Sequence, residues 1–95
     1  MGKVKLTDEQ LGDYHTVVAA LVSVGMKPEK ASLYADAYGE YRMAQENIRR
    51  LGPIVADPRT GSAASNPYLN VRDKAFQRLE KMHRSRAINV SFLWE

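Results

Sequence analysis

The stretch from Pro28 to Leu51 constrains this chain more than any other. Proline fits the first turn of a helix, where its missing N–H is not needed; the helical pattern then runs without a breaker to Leu51, and Gly52-Pro53 ends it. Along it, Leu33, Tyr34, Ala35, Ala37, Tyr38, Tyr41, Ala44, Ile48 and Leu51 spread over an arc of roughly 200°, whereas packing on one side takes only about 100°. A helix with so wide an apolar face needs two neighbours. At 95 residues the chain forms one domain, 1–95, because a core that holds without staples takes most of a chain this short.

The neighbours can be read from the flanks. Thr7 followed by Gln10 has the spacing of a capping box, so a first helix is expected over about 7–24. Leu11, Tyr14, Val17, Val18, Leu21, Val22 and Val24 line one side of it, and Gly25 is a natural stop. Residues 53–66, with Pro53, Asp57-Pro58 and Gly61, read as a loop or a short hairpin turning at Thr60-Gly61. Asn66-Pro67 then restarts helix, Asn as N-cap and Pro in the first turn, over about 67–86. Tyr68, Leu69, Val71, Ala75, Phe76, Leu79 and Met82 take one side of this third helix, and Lys74, Arg78 and Lys81 the other. Ile88, Val90, Phe92 and Trp94 alternate with smaller or polar residues, which suits an extended C-terminal tail. The expected class is all-α: a helical hairpin, a loop or short hairpin, a third helix and a tail.

Several chemistries are excluded. The 44% apolar and 26% charged residues are ordinary for a globular protein and argue against a disordered chain. With no cysteine there are no disulfides or thiolate sites, and His15 and His83 lie in separate helices without a second His at i+4, so no metal or cofactor is expected. No G-x-x-x-x-G-K-[ST] phosphate loop is present. Asp36, Glu40 and Glu46 share their helix with Arg42, Arg49 and Arg50 and read as solvated surface rather than an acid–base pair, so no enzyme is expected. The longest apolar run, Val17 to Val22, is far short of the roughly 20 residues that span a bilayer, and no signal-peptide pattern precedes it. A cytoplasmic location without membrane contact follows as the expectation.

What remains is surface. The net charge is +3, and residues 66–95 hold six Lys/Arg against three Asp/Glu, while residues 1–65 are balanced. Lys74, Arg78 and Lys81, continued by Arg84 and Arg86, form either a track for the phosphates of double-stranded DNA or a solvated polar face; charge alone leaves both open. Tyr34, Tyr38 and Tyr41 suit a core or an interface better than a platform for stacking bases. The first two helices are no helix-turn-helix: Glu29, Asp36 and Glu40 would repel phosphate from the reading helix.

The order of motifs is itself informative. Leu51-Gly52-Pro53-Ile54-Val55, a loop with Gly61, then Asn66-Pro67-Tyr68-Leu69 leading into Lys74-Ala75 and Leu79 resembles the small terminase subunits of tailed double-stranded DNA phages over about residues 20–87. The family-motif residues are Gly52, Asn66, Pro67, Tyr68 and Leu69. The resemblance implies a non-catalytic helical protein in the bacterial host cell that assembles into a ring-like homo-oligomer, recognises packaging-site DNA and regulates the large terminase subunit. For such a role the cationic stripe, Lys74, Arg78, Lys81, Arg84 and Arg86, is the expected DNA-binding set, and the wide apolar face, Leu33, Tyr34, Ala37, Tyr38, Tyr41, Ala44, Ile48 and Leu51, the expected oligomer interface. Phe92, Leu93 and Trp94 are expected to dock a protein partner, with residues 88–95 as the docking tail. Only Gly2 to Lys5 precede the first cap and the chain stops at Trp94-Glu95, shorter at both ends than such relatives usually are. The alternative is therefore a shortened mobile-element or satellite relative that binds another small terminase subunit and redirects or blocks packaging.

Overall fold

The computed structural model describes residues 5–84 and 90–94. Its organising element is α3, Pro28–Leu51, with the bounds that its proline start and Gly52-Pro53 stop predict. Its 24 residues make a rod about 36 Å long at 1.5 Å per residue, so the other elements lie along it. Before it come α1 (Asp8–Leu11) and α2 (Tyr14–Ser23); after it come β1 (Ile54–Ala56), β2 (Ala63–Ser65), α4 (Tyr68–Arg84) and a single 3-10 turn over Ser91–Leu93. The class is the all-α one expected, with a two-stranded hairpin as its only sheet among the described residues.

One helix was expected over 7–24, and the structure forms two. The capping box is present: Thr7 Oγ1 accepts from the Gln10 amide at 3.2 Å and Gln10 Oε1 from the Thr7 amide at 2.9 Å. The helix nevertheless ends at Leu11, and Asp13 caps a new one by accepting from the Thr16 amide at 3.1 Å. Glycine is a weak helix former, and aspartate satisfies orphan amides at a helix start better than it serves an interior. Gly12-Asp13 therefore favours a restart. At the other end of α2, Gly25 takes φ +106°. Its amide donates to Val22 O and the Met26 amide to Leu21 O, both at 3.0 Å, the paired bonds of a Schellman stop. Leu21 and Met26, brought together by that stop, are both buried.

The wide apolar face of α3 finds its two neighbours within the chain, α2 on one side and α4 on the other. Ala31, Ala35, Ala37 and Ala44 are buried along α3, and Ala75 on α4, so small side chains mark where the helices approach. Val17, Leu21, Met26, Tyr34, Tyr38 and Leu79 fill the space between them.

The tail differs from expectation. Instead of an extended arm, residues 91–93 form a 3-10 turn, and Val90, Phe92 and Leu93 are buried in the core. Ile88, the first residue of the alternating set, lies outside the described residues. Alternation selects one face for burial, but in so small a domain the core beside α3 takes up apolar side chains that would otherwise meet water.

Candidate functional site

Gly52, Asn66, Pro67, Tyr68 and Leu69, scattered in sequence, meet at one junction. Gly52 ends α3 at φ +87°, a conformation that glycine adopts without strain, and its amide donates to Ile48 O at 2.7 Å. The chain then enters the hairpin, whose strands pair Ile54 with Ser65, Val55 with Ala64 and Ala56 with Ala63. Gly61, at φ +73°, lets the turn close, and the Asp57 carboxylate accepts from the Arg59 amide at 2.8 Å. The hairpin returns the chain to Asn66 beside the end of α3. Asn66 is buried, and each polar atom of its side chain is used. Its Nδ2 donates to Asn47 Oδ1 at 2.9 Å and to Gly52 O at 3.0 Å, while its Oδ1 accepts from the Tyr68 amide at 2.9 Å. Its own amide donates to Pro53 O at 2.8 Å. One side chain thus caps α4 and ties it to α3. Asn47, the partner on α3, gave no sign in the sequence.

That tie sets the face that α4 turns outward. Ala75 and Leu79 are buried against α3, while Lys74, Arg78 and Lys81 are exposed. The register of the two antiparallel helices is fixed by cross-pairs: Gln45 Oε1 accepts from Arg72 at 3.4 Å, Tyr41 packs on Phe76 with ring centroids 5.8 Å apart, Glu40 pairs with Arg78, and Tyr34 meets His83. Arg84 closes α4 but its side chain, like all of Arg86, lies outside the described residues.

The residues expected at an oligomer interface divide. Tyr34, Ala37, Tyr38 and Ala44 are buried within the chain itself, since α2, α4 and the tail already cover them. Tyr41 and Ile48 are half-buried. Leu33 and Leu51 are more than half exposed, at 57% and 55%, as are Met43 at 53% and Ile54 at 59%, which lie outside the interface set expected from the sequence.

Phe92, Leu93 and Trp94 also take a different place from the one expected of a docking element. Phe92 and Leu93 are core, and the Leu93 carbonyl accepts from the buried Tyr38 hydroxyl. Trp94 keeps 36% exposure but stands edge-on to Tyr38, Tyr41 and Phe76, with centroids 5.2, 5.4 and 6.4 Å away. Its indole N–H donates to the Tyr34 hydroxyl at 3.2 Å. Indole only donates, so the Tyr34 oxygen is the acceptor there, and the same hydroxyl is hydrogen-bonded to His83 Nε2. Burial pushes the Tyr34 hydroxyl up to about 12, which keeps it neutral in this role. On the outer side of α1, Arg42 reaches Asp8 at 3.2 Å and holds the short helix to α3, a pairing the sequence did not announce.

Comparison with known families decides the reading of these motifs. The family profile described as phage terminase, small subunit, matches residues 14–85. The chain belongs to that family. The match runs from the first residue of α2 through the Asn66 junction and all of α4, so it takes in the whole framework that positions the cationic stripe. No curated protein and no solved structure matches. Membership gives the chain a role in phage DNA packaging, in a family of subunits that are in general non-catalytic. Among the described residues no group of three or more His, Cys, Asp or Glu could hold a metal ion, and no helix is long and apolar enough to cross a membrane.

Proposed function

We propose that this small terminase subunit works as a homo-oligomer that carries double-stranded DNA on α4 and presents it to the large terminase subunit. The observation that carries this reading is the outward face of α4. Lys74, Arg78 and Lys81 stand at i, i+4 and i+7 on a helix whose opposite side is locked onto α3 and whose start is capped by Asn66. A rigid row of cations suits a phosphate backbone, and such contacts position a protein on a duplex without reading its sequence. A single row makes few contacts, so useful affinity needs several copies acting together.

The exposed apolar side chains supply a means of assembly. Leu33, Met43, Leu51 and Ile54 lie on α3 and the hairpin beyond what the chain covers by itself, and a second copy is the occupant that a ring of identical subunits provides. Replacing Leu33 and Leu51 by Glu should lower the mass seen by sedimentation without unfolding the chain, because neither side chain belongs to the core.

The deciding experiment is a salt titration of duplex binding. Each cation that neutralises a phosphate contributes about 0.9 to the slope of log affinity against log salt. A Lys74→Ala, Arg78→Ala, Lys81→Ala triple variant should bind far more weakly and with a shallower slope. Equal binding of the wild type and the triple variant would remove α4 from DNA recognition. It would favour the second role, a modulator that acts on another terminase subunit by protein contact alone.

A further inference from the structure

The three cations of the α4 stripe are not equivalent. Arg78, the central one, pairs with Glu40 across the α3–α4 contact, and both side chains remain about half exposed, at 49% and 47%. Lys74 and Lys81 on either side have no ion pair with a described residue. Glu40 and the three cations line one shallow depression together with Val71 and Gln77. Within it the charge is three positive less one negative, +2 rather than the +3 the helix alone would give. The carboxylates of α4 do not alter this. Asp73 is held by its neighbour Arg72 at 3.2 Å, and Glu80 lines a separate notch with Phe76, His83 and Trp94.

A half-exposed ion pair adds little to the stability of a fold, and the two helices are already joined by buried side chains and the Asn66 tie. Its effect on an approaching anion is larger. A phosphate at the centre of the stripe meets a guanidinium that already has a carboxylate on it, and it must either displace Glu40 or sit beside it at close range. The ends of the stripe offer no such opposition.

We propose that Glu40 attenuates the DNA-binding face: by holding Arg78 it lowers the attraction of a single chain for phosphate backbone as such. This inference rests on the DNA-binding reading above. Sequence-independent affinity comes almost wholly from neutralised phosphates, so removing one of three weakens binding to every duplex alike. Bound DNA is then retained only where several stripes engage it at once.

The test uses the full chain, a duplex of arbitrary sequence and fluorescence anisotropy over a range of salt. For each chain engaged on the duplex, wild type should show a slope of about 1.8, from Lys74 and Lys81, and the variant slopes are counted per chain in the same way. Glu40→Gln should raise the slope to about 2.7 and tighten binding at low salt about two- to fivefold. Adding Arg78→Ala to Glu40→Gln should abolish that gain, because the guanidinium that Glu40→Gln releases is then absent. The Arg78 variants approach the same pair from the other helix, so the result does not depend on one substitution folding well. If Glu40→Gln matches wild type in affinity and slope while Lys74→Ala/Lys81→Ala weakens binding, Glu40 has no such role and the DNA reading stands. If Lys74→Ala/Lys81→Ala and Arg78→Ala all bind as wild type does, the stripe is not a DNA site and the inference falls with it.

Discussion

Asn66→Ala is the most informative single change in this protein. The substitution removes three hydrogen bonds made by one buried side chain: two donated, to Asn47 Oδ1 and Gly52 O, and one accepted, from the Tyr68 amide. Loss of a helix cap costs about 1 kcal/mol. The Gly52 carbonyl and the Asn47 amide oxygen, left partly buried without this donor, cost about 1 kcal/mol each at the lower end of the range for such groups. The total is about 3 kcal/mol, which in a domain of this size corresponds to a fall in melting temperature of about 15 °C. Thermal and urea unfolding followed by circular dichroism at 222 nm would measure it. Asn66→Ser separates the contributions, because a serine hydroxyl caps a helix but is too short to hold both other partners. It should recover about 1 kcal/mol of the loss. A loss below about 1 kcal/mol for Asn66→Ala would mean that packing alone sets the α3–α4 junction, and full recovery by serine would mean that Asn66 is only a cap.

Trp94→Ala should cost about 3 kcal/mol, the lower end for an aromatic-to-alanine change since the indole keeps part of its surface in water. Because Trp94 is the sole tryptophan, its fluorescence in the wild type should change in the same transition as the helical signal; an unaltered melting temperature in the variant would return the tail to the role of a free docking arm. Asp13 gives the fold an acid dependence. The hydroxyl and amide of Thr16 hold its carboxyl below the ordinary value, so its stabilising effect is present above the unfolded-state pKa and is lost as the pH falls through the lower folded value. Melting temperatures below pH 4 should therefore fall less steeply in Asp13→Asn than in wild type; parallel curves would show that the cap does not titrate with folding.

Local chemistry alone made the elements of this fold legible. Pro28 and Gly52-Pro53 bound α3 because each acts on its own backbone, through a fixed φ, a missing donor or a conformation that other residues avoid. Thr7 with Gln10, Asn66-Pro67 and Gly25 work over three or four residues and form the caps expected of them. The break at Gly12-Asp13 belonged to the same local code, with Thr16 three residues on as its signal, and was hidden by the continuous apolar stripe that crosses it. The ordered family motif was legible too, because Gly52, Asn66 and Tyr68 lie close enough in sequence to be seen as a set.

Only the tertiary structure decided which partners those elements face. An apolar arc of roughly 200° on α3 states that two surfaces must cover it, but burial stabilises in the same way whether the cover comes from this chain or from another copy. Here α2, α4 and the tail provide most of it, which leaves Leu33 and Leu51 outside and takes Phe92 and Leu93 into the core. The pairings of Glu40 with Arg78, Asn47 with Asn66 and Trp94 with Tyr34 span 38, 19 and 60 residues. Such contacts follow from the rotation and register of packed helices, which depend on how all the buried side chains fit at once and on no periodicity within any single segment.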